Sequence, residues 1–125
     1  MPVHGLIRIA AVCPPVKVAD VTYNVEASLE WLRKAAAEGA TLAVLPELGL
    51  TGYTCGDLFN QHALLKQSLV ALAWLAEETR GLGVTAAVGL PLEVSGRLYN
   101  CAALVSDGEV KGIVPKQYLP NAQEY

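Results

Sequence analysis

Residues 41–53 read TLAVLPELGLTGY, and the fold turns on how this stretch divides. Thr41 to Leu45 is a short apolar run suited to a buried strand, and Pro46, which cannot donate to a sheet ladder, closes it. Glu47 then sets a carboxylate where that strand ends. Burying an ionised carboxylate costs far more than a packing contact returns, so the placement calls for a partner or a purpose. Gly49 and Gly52 mark a tight loop just beyond it.

Working outward, Leu6 to Val12 is another apolar, β-branched run, closed by Pro14 and Pro15, and reads as the first strand. Between the two runs, Asp20 suits an N-cap and Gly39 a C′ residue. Val25, Leu29, Leu32 and Ala36 recur at helical spacing, which gives one buried stripe. A second helix is expected over Gln61–Arg80, with Leu65, Leu69, Leu72 and Ala76 on one side and Gly81 and Gly83 as stop signals. Val84–Gly89 reads as a third strand. The apolar runs Leu92–Val94, Arg97–Val105 and Glu109–Val114 follow, separated by Ser95-Gly96 and Asp107-Gly108, both good hairpin turns. The order β-α-β-α-β-β-β implies an α/β fold: a parallel or mixed sheet covered by helices, with antiparallel strands added late.

The totals fit one apolar globule. The chain has 125 residues, 53% of them hydrophobic and 17% charged, enough to bury a sizeable core. Its net charge of −3 and lack of any Lys/Arg-rich run argue against nucleic acid as a partner. The N-terminal segment has no basic leader, and no uncharged stretch approaches the ~20 residues that cross a bilayer, so a soluble protein without membrane partners is expected. Three cysteines without CxxC spacing fit neither a disulfide framework nor a zinc site and suit a reducing cytoplasm. Cys13, Cys55 and Cys101 read as core or loop filler. His4 and His62 have no ligand-spaced partner, so no metal site is expected. Residues 81–86, GLGVTA, match GxGxxA but follow a helix and precede a strand, the reverse of a dinucleotide-binding turn, and read as a helix stop.

One construction occurs twice. LAVLPE ends in Glu47 and GIVPK ends in Lys116, each an ionisable residue after a proline at the end of an apolar strand. Ligand sites of α/β sheets lie beyond the carboxyl ends of strands, so two such residues on neighbouring strands can form a partly buried pair in a cleft. The alternative is that each merely caps its strand at the solvent edge.

With these residues in view, the sequence resembles the glutaminase domain of glutamine-dependent NAD synthetases, a branch of the nitrilase superfamily. The resemblance runs the length of the chain and rests on PELGLTGYTCGDLF at 46–59, GLPL at 89–92, GRLYNCA at 96–102 and GIVPKQYLPN at 112–121. It implies an α-β-β-α sandwich with a Cys-Glu-Lys triad, of which Glu47 and Lys116 match the acid and the lysine. In such enzymes a cysteine thiolate attacks the side-chain amide of glutamine, the glutamate is the general base, and the lysine ammonium stabilises the oxyanion. The ammonia passes to a synthetase domain. By the same resemblance Glu47 would sit in a dry pocket flanked by lysine, and Tyr53 would line the glutamine pocket, its other role being to pack the glycine turn.

The departures shape the expectation further. The family nucleophile lies well downstream of the PK element, and no cysteine here matches it. A second family glutamate is also absent, Ala122 stands where a substrate-contacting tyrosine is common, and Tyr125 replaces a phenylalanine. Residues 1–125 are therefore expected to be the N-terminal part of a glutaminase domain, inactive alone. It would take glutamine, need no cofactor of its own and pair as a homo-oligomer, with ATP and Mg serving only the synthetase domain. The rivals are a free-standing nitrilase-superfamily amidase or carbamoylase and a non-catalytic α/β oligomerisation module.

Overall fold

The computed structural model describes residues 6–52 and 62–119. In chain order they form β1 (Ile9–Ala11), α1 (Val21–Ala37), β2 (Leu42–Val44), α2 (His62–Glu78), β3 (Thr85–Val94), β4 (Arg97–Ser106) and β5 (Glu109–Leu119). The five strands make one sheet in the order β1-β2-β3-β4-β5. The first three are parallel, β4 runs against β3, and β5 against β4, so β5 points the same way as β1 to β3.

The helices follow their end signals. Asp20 caps α1 by accepting the Tyr23 amide at 3.1 Å, and Gly39, just past its end, takes a positive φ. Val25, Leu29 and Leu32 of the α1 stripe are buried as their spacing predicts, joined by the polar Asn24 and Ser28, while at its end Ala35 is buried and Ala36 only partly so. In α2 the buried phase is Leu64, Leu65, Ser68, Ala71, Leu72, Leu75 and Ala76, and Leu69 of the expected stripe faces solvent. Apolar residues lie all round this helix, so spacing alone does not choose which side goes in.

Two expected strand ends shift. Leu92–Val94 is the last part of β3, which runs unbroken through Pro91. The carbonyls of Ala87 and Gly89 face β2 and its loop, where they accept Leu45 and Leu50 amides. By strand alternation the Pro91 nitrogen also faces away from β4, so its missing N–H breaks no ladder bond. Similarly β5 continues past Pro115, which places Lys116 inside the strand rather than beyond its end. Both hairpins turn on two residues with positive φ, Ser95-Gly96 and Asp107-Gly108.

The sheet has two unlike faces. One carries Ala43, Ala86, Val88, Leu90, Ala103 and Val105 into a core shared with Leu29, Leu32, Leu72 and Leu75 of the helices. The C-terminal end of α2 is fixed to the sheet by the turn: the Gly81 and Gly108 amides donate to Asp107 and to the Thr79 hydroxyl. On the other face Ile9, Val44 and Val114 are about half exposed, and no described element covers them. Together these make the helix-and-sheet half of the expected sandwich.

Candidate active site

The carboxyl end of β2 is where Glu47 departs from the sheet. After Leu45 bonds to Ala87, the chain turns tightly: the Gly49 amide bonds to Pro46, and the Thr51 and Gly52 amides both bond to the Leu48 carbonyl. Leu48 holds a left-handed φ of 51° that a non-glycine residue adopts only when its surroundings enforce it. Those surroundings are dense. Leu48 and Leu50 are buried, and Asn24 of α1 is wholly buried, donating to the Leu50 carbonyl at 3.0 Å while exchanging two bonds with the Lys17 backbone.

The turn lies over β3. A β-carbon on Gly89 would stand 2.6 Å from the Pro46 carbonyl oxygen and 3.1 Å from the Glu47 carbonyl carbon, so only glycine lets the loop approach this closely. Gly89 alternates with the core-facing Val88 and Leu90. Residues 46–48 therefore cross the sheet on the face away from the helices.

Lys116 arrives from β5. In the β4–β5 register Cys101 pairs with Pro115 and Asn100 with Gln117, which leaves Lys116 as the extra residue of a β-bulge. A bulge re-aims the side chain it carries. The Lys116 Nζ donates to Glu47 Oε1 at 3.0 Å, an ion pair between residues 69 positions apart. Their strands are not neighbours: β3 and β4 lie between β2 and β5. The contact is made because the loop after β2 leans across β3 and the bulge turns Lys116 inward.

The pair is partly buried, with side-chain exposures of 33% for Glu47 and 46% for Lys116. The dry pocket expected around Glu47 is thus not closed by the described residues, which place no second layer on this face of the sheet. Chemically, a carboxylate held against an ammonium is a proton acceptor beside a donor suited to a developing oxyanion.

The cysteines divide by position. Cys101 alternates with Asn100 and Ala102 on β4, so its side chain enters the helix-covered face, opposite to the pair. It is 3% exposed, and burial pushes its thiol pKa up. It cannot serve Glu47 as a nucleophile. Cys13 is exposed in the segment after β1. Tyr53, Cys55, Ala122, Tyr125 and His4 lie outside the described residues. His62 begins α2 at the surface, 3.8 Å from Glu93. The residue that spacing did not single out is Asn100, fully buried on β4 with neither polar side-chain atom bonded. Its signal was available as a polar residue midway along an apolar strand.

Comparisons with known proteins place this geometry. Residues 8–124 match the carbon-nitrogen hydrolase family. The glutamine-dependent NAD(+) synthetase of Mycobacterium tuberculosis is 38% identical over 122 residues, which are 98% of this chain and 18% of that protein. The crystal structure of a glutamine-dependent NAD(+) synthetase from Cytophaga hutchinsonii superposes with a TM-score of 0.84 at 33% identity, covering 92% of this chain and 20% of the other. An amidase of the nitrilase superfamily from Nesterenkonia shares the fold, with a TM-score of 0.74 at 23% identity over 94% of this chain and 46% of its own. The chain thus spans about a fifth of the synthetases it matches. A nitrilase-like mixed sheet, an acid–lysine pair joining the loop after β2 to the bulge of β5 and a family match over nearly every residue lead to one conclusion: the chain belongs to the carbon-nitrogen hydrolase family.

Proposed function

We propose that residues 1–125 are the N-terminal part of a glutamine amidohydrolase domain that supplies ammonia for making NAD from its deamido precursor. The observation that carries this reading is the Glu47–Lys116 ion pair at 3.0 Å, on the open face of a carbon-nitrogen hydrolase sheet. Glu47 is the general base: a cysteine thiol ordinarily titrates near ~8.5, so a carboxylate must take its proton as the sulfur attacks the amide carbon. Lys116 then faces the negative charge that develops on the amide oxygen, and the proton held by Glu47 passes to the departing nitrogen. Support for placing the attacking cysteine elsewhere comes from Cys101, which lies on the wrong face of β4 and is buried. Tyr53 lines the glutamine pocket in this reading.

The half-reaction needs no cofactor, because acid, base and nucleophile are all side chains; ATP and Mg belong to the synthetase chemistry. Free Cys13 and Cys101 suit a cytoplasmic location, and no helix among the described residues is long and apolar enough to cross a membrane. Exposed Leu69, Val70 and Trp74 on the outer side of α2 favour assembly as a homo-oligomer.

The test is to follow ammonia release from glutamine, asparagine and acetamide by the full-length protein, together with NAD formation supported by glutamine or by ammonium salts. Glutamine-specific hydrolysis coupled to NAD formation is expected. Hydrolysis of simple amides without NAD formation would instead identify a free-standing amidase.

A further inference from the structure

Among the described residues two fully buried polar side chains lack a hydrogen-bond partner: Ser68, a single hydroxyl within α2, and Asn100, whose oxygen and nitrogen are both unbonded on the face of the sheet that carries the Glu47–Lys116 pair. Asn24, Thr51 and Thr79, equally buried, are all bonded. Leaving a buried amide unsatisfied costs on the order of 1–3 kcal/mol per group, and a packed apolar residue of similar size would remove that cost. The residue is therefore not there for stability. A buried polar group without a partner calls for an explanation, and a partner gained in another state of a site is one.

Its position indicates which state. Asn100 shares its sheet face with Gly89 and Ala102: the β3–β4 register pairs Gly89 with Ala102 and Pro91 with Asn100. Across β4 its partner is Gln117, next to the Lys116 bulge. Glu47 hangs over β3 on this face and Lys116 reaches in from β5, so their ion pair spans β4. On this face β4 offers Ala102, opposite Gly89, and Asn100, beside the Lys116 bulge, and of the two only Asn100 is polar. The chemistry matches end for end, because a carboxamide presents an acceptor suited to an ammonium and a donor suited to a carboxylate. Pro91, on its other flank, has no N–H to offer.

We propose that Asn100 is a positioning residue for the Glu47–Lys116 pair. When an amide substrate enters and the two charges part, Asn100 Oδ1 accepts from Lys116 Nζ and Nδ2 donates to the Glu47 carboxylate. Both groups then stay aligned after losing each other. This rests on the amidohydrolase reading above.

The experiment compares Asn100→Leu and Asn100→Asp with the wild type in the full-length protein, using glutamine and acetamide. Asn100→Leu, close in volume and without polar atoms, is expected to unfold at no lower temperature than the wild type. Its kcat should nevertheless fall about a hundredfold with KM little changed, the loss typical of slightly misplaced catalytic groups. Asn100→Asp keeps an acceptor for Lys116 but can donate to Glu47 only when protonated, so its kcat should recover as pH falls while that of Asn100→Leu does not. A merely structural residue would lose stability and activity together, with no shift in pH profile. Wild-type kcat in Asn100→Leu, or no acid-side recovery in Asn100→Asp, overturns the proposal alone. If the wild-type protein hydrolyses no amide at all, the amidohydrolase reading fails and takes this one with it.

Discussion

Gly89 and Leu48 meet so closely that a β-carbon on the first would stand 2.5 Å from the amide nitrogen of the second. This absence of a side chain lets the loop after β2 lie on β3 and carry Glu47 toward β5. Gly89→Ala must push backbone against backbone. A loss of about 1–3 kcal/mol in urea-unfolding free energy is expected, with weakened coupling between Glu47 and Lys116. An alanine variant as stable as the parent would mean the loop has room that its packing denies.

Asn24 anchors the same loop from the other side. Its side chain makes three bonds, one from the Lys17 amide and two to the Lys17 and Leu50 carbonyls. Removing it leaves buried backbone groups unpaired, so Asn24→Ala should cost about 2–4 kcal/mol, clearly more than the ~1 kcal/mol of removing the Asp20 cap. Urea midpoints of the two variants check the ranking.

Thiol chemistry separates the cysteines. Cys13 is exposed, whereas Cys101 is buried and desolvation raises its pKa. At pH 8 a thiol-alkylating reagent should label Cys13 before Cys101, which reacts only as the protein unfolds. Peptide mapping over time reads the order directly.

At the surface, a hydrogen bond from Lys111 and then its charge hold the Glu109 carboxyl below the usual carboxylate range, and Arg80 does the same for Glu77. A depressed folded pKa contributes stability above the unfolded value and loses it as pH falls through the folded one. Glu109→Gln should therefore lower the thermal midpoint slightly at pH 7, with the difference closing toward pH 3. These side chains are fully exposed, so added salt should shrink the effect.

Much of this was legible in the sequence because local signals and burial agreed. Asp20 and Gly39 bound α1 as read, and Ser95-Gly96 and Asp107-Gly108 turn the hairpins as read. Legibility failed where the deciding interaction is non-local. Pro91 reads as a strand break, yet β2 ends alongside β3 before reaching it, so its missing N–H costs nothing there. Leu69 sits on a helix apolar on every side, and only packing against α1 and the sheet selects the buried phase. Glu47 and Lys116 look like matching strand ends, whereas Lys116 is a bulge within β5 and two strands separate it from β2. Periodicity cannot show a loop leaning across a glycine.

The central claim is that Glu47 and Lys116 act as one catalytic unit. Amide hydrolysis by Glu47→Gln, Lys116→Gln and the double variant of the full-length protein tests it most directly. Each single change should lower kcat at least about a hundredfold, and the double should lose little more, as expected of groups that work together. A single variant with wild-type kcat, or losses that simply multiply, would contradict the account.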